Sequence, residues 1–178
     1  AAPTSFAGDF EALAETLQDA WRCFHAGDFQ KATRQADKCG HLAHAPANKA
    51  TGIYATYLAT DEAAQQACYL AAIERAERAI ELLPDDPNSH YFYAFNLGRY
   101  SQSISVVKAL SQGVGGKIHT ALHNTLELQP NHAEAHTALG MYHAEIIDKV
   151  GKMLGKMTYG ASADQALKHF ERALALTP

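Results

Sequence analysis

Small and apolar residues recur with one fixed spacing at three places along the chain, and each recurrence ends in a proline. Successive members lie four, three and five residues apart in Ala72, Ala76, Ala79 and Pro84; in Ile118, Leu122, Thr125 and Pro130; and in Ala166, Phe170, Ala173 and Pro178. Spacings of three and four residues place side chains on one face of an α-helix. Such a recurring face is typical of stacked helical hairpins, which mostly bind other molecules.

The apolar stripes and turn residues together predict four helical hairpins in a single domain. Their approximate bounds are 6–41, 48–83, 88–129 and 132–178. Asp28 and Asp61 are expected to cap the second helices of the first two hairpins, and Ser162 begins a capping box before the last helix. The segment from His41 to Asn48 is expected to be a linker, interrupted by Pro46.

The last two hairpins are longer than a common helical-hairpin unit of ~34 residues. Counted between closing prolines, they have 46 and 48 residues. The additional residues keep apolar side chains at helical spacing, namely Ile104, Val107, Leu110 and Val114, then Ile146, Ile147, Val150, Met153, Leu154 and Met157. We therefore expect the first helix of each hairpin to be elongated to roughly 25 residues. A terminal segment, another subunit or a ligand would have to cover its additional apolar surface.

Composition argues against two classes of protein. Of the 178 residues, 47% are hydrophobic and 19% are charged, with a net charge of −4. The chain is therefore expected to be globular, without the basic surface of a nucleic-acid-binding protein. No run approaches the roughly 20 apolar residues that span a bilayer. The start at Ala1-Ala2-Pro3 fits either cleavage of an export signal or an arbitrary boundary, and Pro178 leaves room for the native chain to continue.

Three cysteines leave two alternatives open. In one, Cys23 and Cys39 form a disulfide across the first hairpin, which would suit an oxidising compartment. In the other, which we favour, the cysteines are buried and reduced. No Cys-x-x-Cys pair occurs, so a structural zinc site of the usual kind is not expected.

Two sets of residues resemble the tetratricopeptide repeat. They are Ala166, Phe170, Ala173 and Pro178, which resemble its second helix, and Gly27, Phe29 and Ala32, which resemble the turn between its helices. Leu139-Gly140 is similar to its first-helix signature, although His90 and His136 stand where the consensus has tryptophan. The resemblance implies an all-α, right-handed superhelix of about four helical hairpins. The insertions described above add the expectation of elongated helices in the last two hairpins.

The C-terminal half resembles a more specific family. The run from Leu139 to Glu145, the segment from Tyr159 to Ser162 and the final helix resemble the tetratricopeptide domain of the regulator of microtubule dynamics family, and its bacterial relatives more closely. The resemblance covers about residues 70–178. Because such bacterial relatives are often exported, it implies a periplasmic or otherwise exported protein, with the cytoplasm as the alternative. It does not carry over microtubule activity, because no residue here specifies tubulin binding.

The concave face of such a stack is built by the first helix of each hairpin. The side chains expected there in the last two hairpins are Asn88, Tyr91, Phe95, Arg99, Glu134, Thr137, Met141 and Glu145. Aromatic anchors with a few polar groups suit a peptide or an extended segment of a partner protein. The alternative is that Tyr91 and Phe95 belong to the core between helices.

Histidine pairs at one-turn spacing raise the question of a metal site. His119 and His123 form one such pair and His132 and His136 another, with His143 two turns beyond. One-turn spacing can place two imidazoles on one metal ion. However, no His-Glu-x-x-His motif occurs, and the equivalent repeat positions of His90 and His136 favour packing roles. We therefore expect no metal and no cofactor.

Two further segments are interpreted as ordinary structure. The run from Gly113 to Lys117 is similar to a phosphate-binding loop, but Ser111 and Ile118 stand where glycine and Ser or Thr are required. The lysines Lys149, Lys152 and Lys156 lie beside apolar residues. We interpret this segment as an amphipathic helix whose lysines face solvent. The alternatives are contact with an anionic membrane and tight packing against another helix.

No catalytic motif is present, so no enzyme activity is expected. The sequence predicts a non-catalytic scaffold or adaptor that holds a protein or peptide segment on its concave face. One alternative is a periplasmic carrier of a small molecule or lipid that serves a transport system. The other is a purely structural homo-oligomer in which the long apolar stripe is buried against a second copy.

Overall fold

The computed structural model describes residues 10–177, and this part of the chain is built from helices without a strand. The α-helices are α1 (Phe10–His25), α2 (Phe29–Asp37), α3 (His44–Tyr57), α4 (Glu62–Leu82), α5 (Pro87–Gln102), α6 (Val106–Ser111), α7 (Val114–Leu128), α8 (Ala133–Val150), α9 (Lys152–Tyr159) and α10 (Ala163–Leu176). A 3₁₀ turn at Gly40–Ala43 precedes α3. The predicted all-α class is confirmed. The expected start near Phe6 and both chain ends lie outside the described residues.

The helices pack in the order of a hairpin stack. Within hairpins, α1 packs on α2, α3 on α4, α5 on α7 and α8 on α10. Between hairpins, α2 packs on α3, α4 on α5 and α7 on α8. The short helices α6 and α9 lie in the connections of the third and fourth hairpins. That the whole chain is one domain stays a prediction.

Side-chain caps set the starts of several helices. The carboxylate of Asp61 accepts a hydrogen bond from the backbone N–H of Ala64 at 2.8 Å, and Asp28 caps α2 in the same way through Lys31. The hydroxyl of Ser162 accepts from the N–H of Gln165 at 3.2 Å, so α10 begins at Ala163. Each such cap satisfies an N–H group that has no partner within its helix.

The predicted linker from His41 to Asn48 is wrong. A 3₁₀ turn ends at Ala43, and α3 begins directly afterwards with Pro46 as its third residue. Proline is tolerated there because the first N–H groups of a helix have no carbonyl partner within the helix. Pro46 therefore belongs to the first turn of the third helix and does not mark a break between hairpins.

The expected helices of 25 residues are also wrong, because both are interrupted. Helix α5 has 16 residues, and α6 starts afresh after Ser105, whose hydroxyl accepts from the N–H of Lys108. Helix α8 has 18 residues and ends at Gly151, whose φ of 84° lies in the left-handed region. Helical spacing continues past both points, but the chain changes direction, so the insertions are helical without extending α5 or α8.

The core is made mainly of small residues. Fully buried alanines lie in α1 to α4 and in α8, and they include Ala20, Ala32, Ala36, Ala50, Ala72, Ala76, Ala79 and Ala135. Helices approach closely where glycine faces an aromatic ring: a Cβ at Gly140 in α8 would lie 2.5 Å from Cε1 of Phe170 in α10. A Cβ at Gly52 would likewise lie 2.6 Å from the ring of Phe95. Within residues 10–177, no helix has the length and apolar character needed to cross a membrane.

Candidate functional site

A cavity of about 320 Å³ lies between α5 and α8 and extends to α6 and α7. Seven of the eight side chains predicted for the concave face line it: Tyr91, Phe95, Arg99, Glu134, Thr137, Met141 and Glu145. The eighth, Asn88, lies at a neighbouring pocket with Trp21, Lys49 and His132. The structure thus brings the predicted faces of α5 and α8 together around one space, which we call the α5–α8 cavity.

Helical periodicity explains why these residues share the cavity. On α5, Tyr91, Phe95 and Arg99 are four residues apart, and on α8 Thr137, Met141 and Glu145 have the same spacing. Residues four apart lie above one another on a helix surface. Each helix therefore presents one continuous row of side chains to the cavity.

Sequence reasoning missed the walls contributed by α6 and α7. Val106 and Leu110 of α6 line the α5–α8 cavity, as do Ile118 and Leu122 of α7. The apolar stripe of this region was visible in the sequence, but it was assigned to one long helix. Because α6 is a separate helix, Val107 faces outward instead and is 76% exposed.

Aromatic side chains of α5 line the cavity and also pack against neighbouring rings of the core. The rings of Tyr91 and Phe95 are stacked with centroids 6.1 Å apart, and the Tyr91 ring lies 4.7 Å from that of His132 in the adjoining hairpin. Burial raises the pKa of the Tyr91 hydroxyl, and the nearby carboxylate of Glu134 adds to the effect. The two alternatives for Tyr91 and Phe95, cavity wall or core, are therefore not exclusive.

Charged groups of both signs border the apolar walls. Gln102 donates a hydrogen bond of 2.6 Å to the Glu145 carboxylate. The Arg99 guanidinium lies 5.7 Å from the centre of the Phe95 ring, with one long hydrogen bond of 3.5 Å to Gln102. Apolar walls with a few polar groups are typical of binding pockets.

A second candidate feature is a cluster of five histidines on α7, α8 and α10. Its members, which we call the histidine cluster, are His119, His123, His136, His143 and His169. Two pairs are in direct contact: Nε2 of His119 and Nε2 of His123 are 3.1 Å apart, and Nδ1 of His136 and Nδ1 of His169 are 2.9 Å apart.

His143 lies between the two pairs of the histidine cluster. Its ring centroid is 6.5 Å from that of His119 and 5.9 Å from that of His169. Its side chain is buried, and Nδ1 has no hydrogen-bond partner among the described residues. Burial and neighbouring histidines lower the pKa of His119 and His143, and they lower that of His169 to about 4.

The equivalent repeat positions His90 and His136 make the same hydrogen bond. His90 Nε2 lies 2.8 Å from the carbonyl oxygen of Pro84, and His136 Nε2 lies 3.0 Å from that of Pro130. Since a carbonyl only accepts, each imidazole donates its Nε2–H to the proline that closes the preceding repeat unit. These two histidines thus have a shared structural contact.

His132 and His136, which are one turn apart on the sequence, have different partners in the structure. His132 caps α8 through Nδ1, which accepts from the N–H of Ala135, and its ring lies against Tyr91. His136 contacts His169 on α10. Over residues 10–177, no three His, Cys, Asp or Glu side chains are grouped so that they could hold one metal ion.

The remaining sequence motifs have simple structural positions. Cys23, Cys39 and Cys68 are free thiols, and burial raises the pKa of Cys39 and of Cys68. Gly113 adopts a φ of 63° immediately before α7. On α9, the apolar side chains next to the lysines are uncovered, with Met153 77% and Met157 80% exposed.

Comparison with solved structures supports the fold assignment. The protein titled "MamA RS-1 ArsTM double mutant" superposes with a TM-score of 0.55 at 15% identity, over 92% of this chain and 74% of that chain. The one titled "Crystal structure of MamA" gives a TM-score of 0.52 at 18% identity, over 96% and 81%. Both neighbours are helical-repeat proteins of the tetratricopeptide type. At these identities the similarity shows the fold alone.

Comparison of sequences identifies the family. No curated protein matches the chain significantly. The family described as regulator of microtubule dynamics protein 1-3 matches residues 28–178. The match begins at Asp28, so it extends well beyond the stretch from about residue 70 in which the resemblance was recognised. The chain therefore belongs to the regulator of microtubule dynamics protein 1-3 family.

Proposed function

We propose that this protein is a non-catalytic scaffold that holds a segment of a partner protein in the α5–α8 cavity. The observation that supports this most strongly is the convergence of seven predicted contact residues around one apolar cavity. Rows of side chains on two preformed helices offer anchor positions to a peptide with little ordering cost on the scaffold side.

The chemistry of the cavity suits a segment with apolar anchors and a few polar groups. Met141 and Leu110 are partly exposed, so they are accessible to a guest. Arg99 makes no ion pair with a carboxylate among the described residues. A partner carboxylate could therefore pair with Arg99 while apolar side chains occupy the space beside Met141.

Photo-crosslinking in cells tests the proposal at single positions. Benzoylphenylalanine in place of Met141, which lines the cavity, should crosslink to a partner protein. The matched control is the same substitution of Leu174, which is exposed on α10 and does not line the cavity. Equal crosslinking from both positions, or none from position 141, would contradict the proposal. The rings of Tyr91 and Phe95 are less suitable sites, because they also support the core.

A carrier of a small apolar molecule is the second candidate, and the cavity volume favours it. About 320 Å³ falls within the range of small-molecule pockets. Phe95 lines this space, whereas Val107 and Met153 face solvent and do not contribute to its wall. Native mass spectrometry separates the candidates: a bound mass of a few hundred daltons that is lost in Met141→Lys would favour the carrier.

A homo-oligomer remains the third candidate. It rests on the uncovered apolar side chains of α6 and α9. Light scattering coupled to size-exclusion chromatography tests it directly, since a defined oligomer that dissociates in Met157→Lys would place the contact on α9.

An exported location is also part of the proposal. Fractionation of cells that express the full-length protein tests it.

A further inference from the structure

We propose that the outer face of α9 binds the surface of a membrane that contains anionic lipids. A row of exposed methionines enters the headgroup region, and a row of lysines beside it pairs with lipid phosphates. This surface is distinct from the proposed scaffold site, since Met153 and Met157 do not line the α5–α8 cavity. The protein lies on the bilayer and does not cross it, in keeping with the helices of residues 10–177, none of which can span a membrane.

Helix α9 turns its apolar row away from the rest of the protein. Gly155 is buried on the inner side, where a Cβ would lie 3.2 Å from Cγ2 of Ile146. Met153 and Met157 are on the other side of the helix, 77% and 80% exposed, and Leu154 beside them is 54% exposed. Residues four apart lie above one another on a helix surface. The two methionines therefore form one uncovered apolar row.

A row of lysines runs beside these methionines. Lys152 and Lys156 directly precede Met153 and Met157, and they are also four residues apart. Both lysines are exposed, and neither forms an ion pair within residues 10–177. A lysine lays its methylene chain along apolar surface while its ammonium group stays in a polar layer. Apolar and basic rows on one short helix are characteristic of helices that lie in a membrane interface.

The charges along the chain are separated as such a surface requires. No aspartate or glutamate occurs in residues 87–126, which include α6, or in residues 149–163, which include α9. The two segments contain none of the 19 acidic residues and six of the 15 basic ones, namely Arg99, Lys108, Lys117, Lys149, Lys152 and Lys156. The net charge of −4 therefore conceals a region that is locally positive.

The two acid-free segments meet in the structure. A Cβ at Gly115, in the first turn of α7, would lie 3.2 Å from Cε1 of Tyr159, the last residue of α9. Helix α6 lies directly before α7, and its Val107 is 76% exposed beside the exposed Lys108. The connections of the third and fourth hairpins thus combine uncovered apolar side chains with lysines in one part of the molecule.

A second copy of the chain fits this face less well than a membrane does. Helix α9 has eight residues, and at ~12 Å by ~10 Å its footprint is on the order of 100 Å². A stable interface covers about 800 Å² on each partner. A symmetric contact would also bring the lysine row towards its own copy. An anionic bilayer offers negative charge over a large area, and each lysine near it strengthens binding about fivefold.

Vesicle flotation of the protein without an affinity tag tests the proposal. The protein should float with vesicles of phosphatidylcholine and about one-third phosphatidylglycerol at low ionic strength, and not with phosphatidylcholine alone. Lys152→Gln combined with Lys156→Gln should lower the partition coefficient about 25-fold. The matched control, Lys31→Gln with Lys168→Gln, removes the same charge from exposed positions on α2 and α10. It should lower the coefficient by less than about threefold, because distant charges are screened.

The methionine row is tested with every charge in place. Met153→Ser combined with Met157→Ser should weaken binding by about tenfold or more, since two apolar side chains no longer enter the bilayer. Both positions are exposed, so the variant is expected to fold, which circular dichroism checks. Methyl NMR gives a reading on the unaltered protein. Nanodiscs of the anionic composition that carry a paramagnetic lipid should broaden the signals of Met153 and Met157 more than that of Met141.

Three results would overturn the proposal. The first is absence of binding to the anionic vesicles at low ionic strength. The second is an equal loss of binding in the α9 variant and in its charge-matched control, which would show attraction to the protein as a whole. The third is a defined oligomer that covers the α9 methionines without lipid, which would assign this face to a second copy of the chain.

Discussion

The ring of Phe170 in α10 occupies the space that any side chain at Gly140 in α8 would need. A Cβ built on Gly140 lies 2.5 to 2.8 Å from three atoms of that ring. Real Cβ atoms essentially never approach other atoms so closely, so either the Phe170 ring would have to shift or the two helices would have to separate. Glycine at this position therefore allows the Phe170 ring to pack directly against the backbone of α8.

Gly140→Ala should therefore destabilise the protein by about 1–3 kcal/mol, the usual cost of overpacking. Gly116→Ala is the matched control, because Gly116 also lies in a helix but has no neighbour within 4 Å of the place that a Cβ would take. The control should be neutral or stabilising by up to ~1 kcal/mol, since alanine favours helix. Urea unfolding measures both. Equal stability of the two variants would show that Phe170 moves aside without cost.

Arg75 connects three helices, and replacing it should reduce the free energy of unfolding by more than replacing most polar side chains does. Its guanidinium donates to Asp37 of α2 at 3.1 Å and to Oδ1 of the fully buried Asn48 of α3 at 3.2 Å. Arg75→Ala leaves that buried oxygen without a donor, which should cost about 1–3 kcal/mol. Arg78→Ala, on the exposed side of the same helix, should change stability by less than about 0.5 kcal/mol, and urea unfolding compares the two. Similar losses in both variants would contradict this assignment.

His44 should make stability depend on pH. Its Nε2 lies 2.7 Å from Oδ2 of Asp86, yet burial lowers its pKa by more than Asp86 raises it, and His41 and Arg75 lower it further. A folded-state pKa below the unfolded value of ~6.5 means that the unfolded chain takes up the proton first. Stability from this group is therefore complete above pH ~6.5 and falls as the pH decreases towards the folded pKa.

Proton NMR of the His44 ring checks this pH dependence directly. The ring should titrate below the pKa of an unfolded-state histidine, ~6.5. The substitution His44→Gln should reduce the slope of stability against pH below about pH 6.5. A His44 pKa at or above ~6.5 would show that the Asp86 carboxylate outweighs burial.

The three methionines should differ in their reactivity towards peroxide. Met153 and Met157 are 77% and 80% exposed on α9, whereas Met141 is 47% exposed at the cavity. Oxidation to the sulfoxide follows exposure. Peptide mass spectrometry over time should therefore show the two α9 methionines oxidised before Met141. Protection of Met153 and Met157 in the purified protein would reveal a cover on α9, as the homo-oligomer candidate requires.

Helix positions and their packed faces could be predicted because they depend on local spacing. The sets that end in Pro84, Pro130 and Pro178 identified the second helices, and Asp28, Asp61 and Ser162 were recognised as caps. The same local reasoning failed at Ser105 and Gly151, where an apolar stripe continues while the helix does not. The spacing of apolar residues predicts which face of a helix is apolar. It does not predict where one helix ends and the next begins in a new direction.

Which residues meet at the candidate sites depends on packing between helices as well as on spacing within one helix. Each predicted row of the α5–α8 cavity lies on one helix, and so the rows were visible in the sequence. The contact between His136 and His169 joins residues on different helices, whereas sequence spacing could only compare His136 with His132 on the same helix. Only the packing angle of α10 on α8 places those two rings together.

The preference for alanine in the core has a consequence for which substitutions this chain tolerates. A fully buried alanine such as Ala50 or Ala76 can lose only one methyl group, so mutation has little volume to remove. Any larger side chain must instead push two helices apart. These positions should thus tolerate substitution by a smaller residue better than substitution by a larger one. An upper limit on side-chain size decides which residues are permitted there.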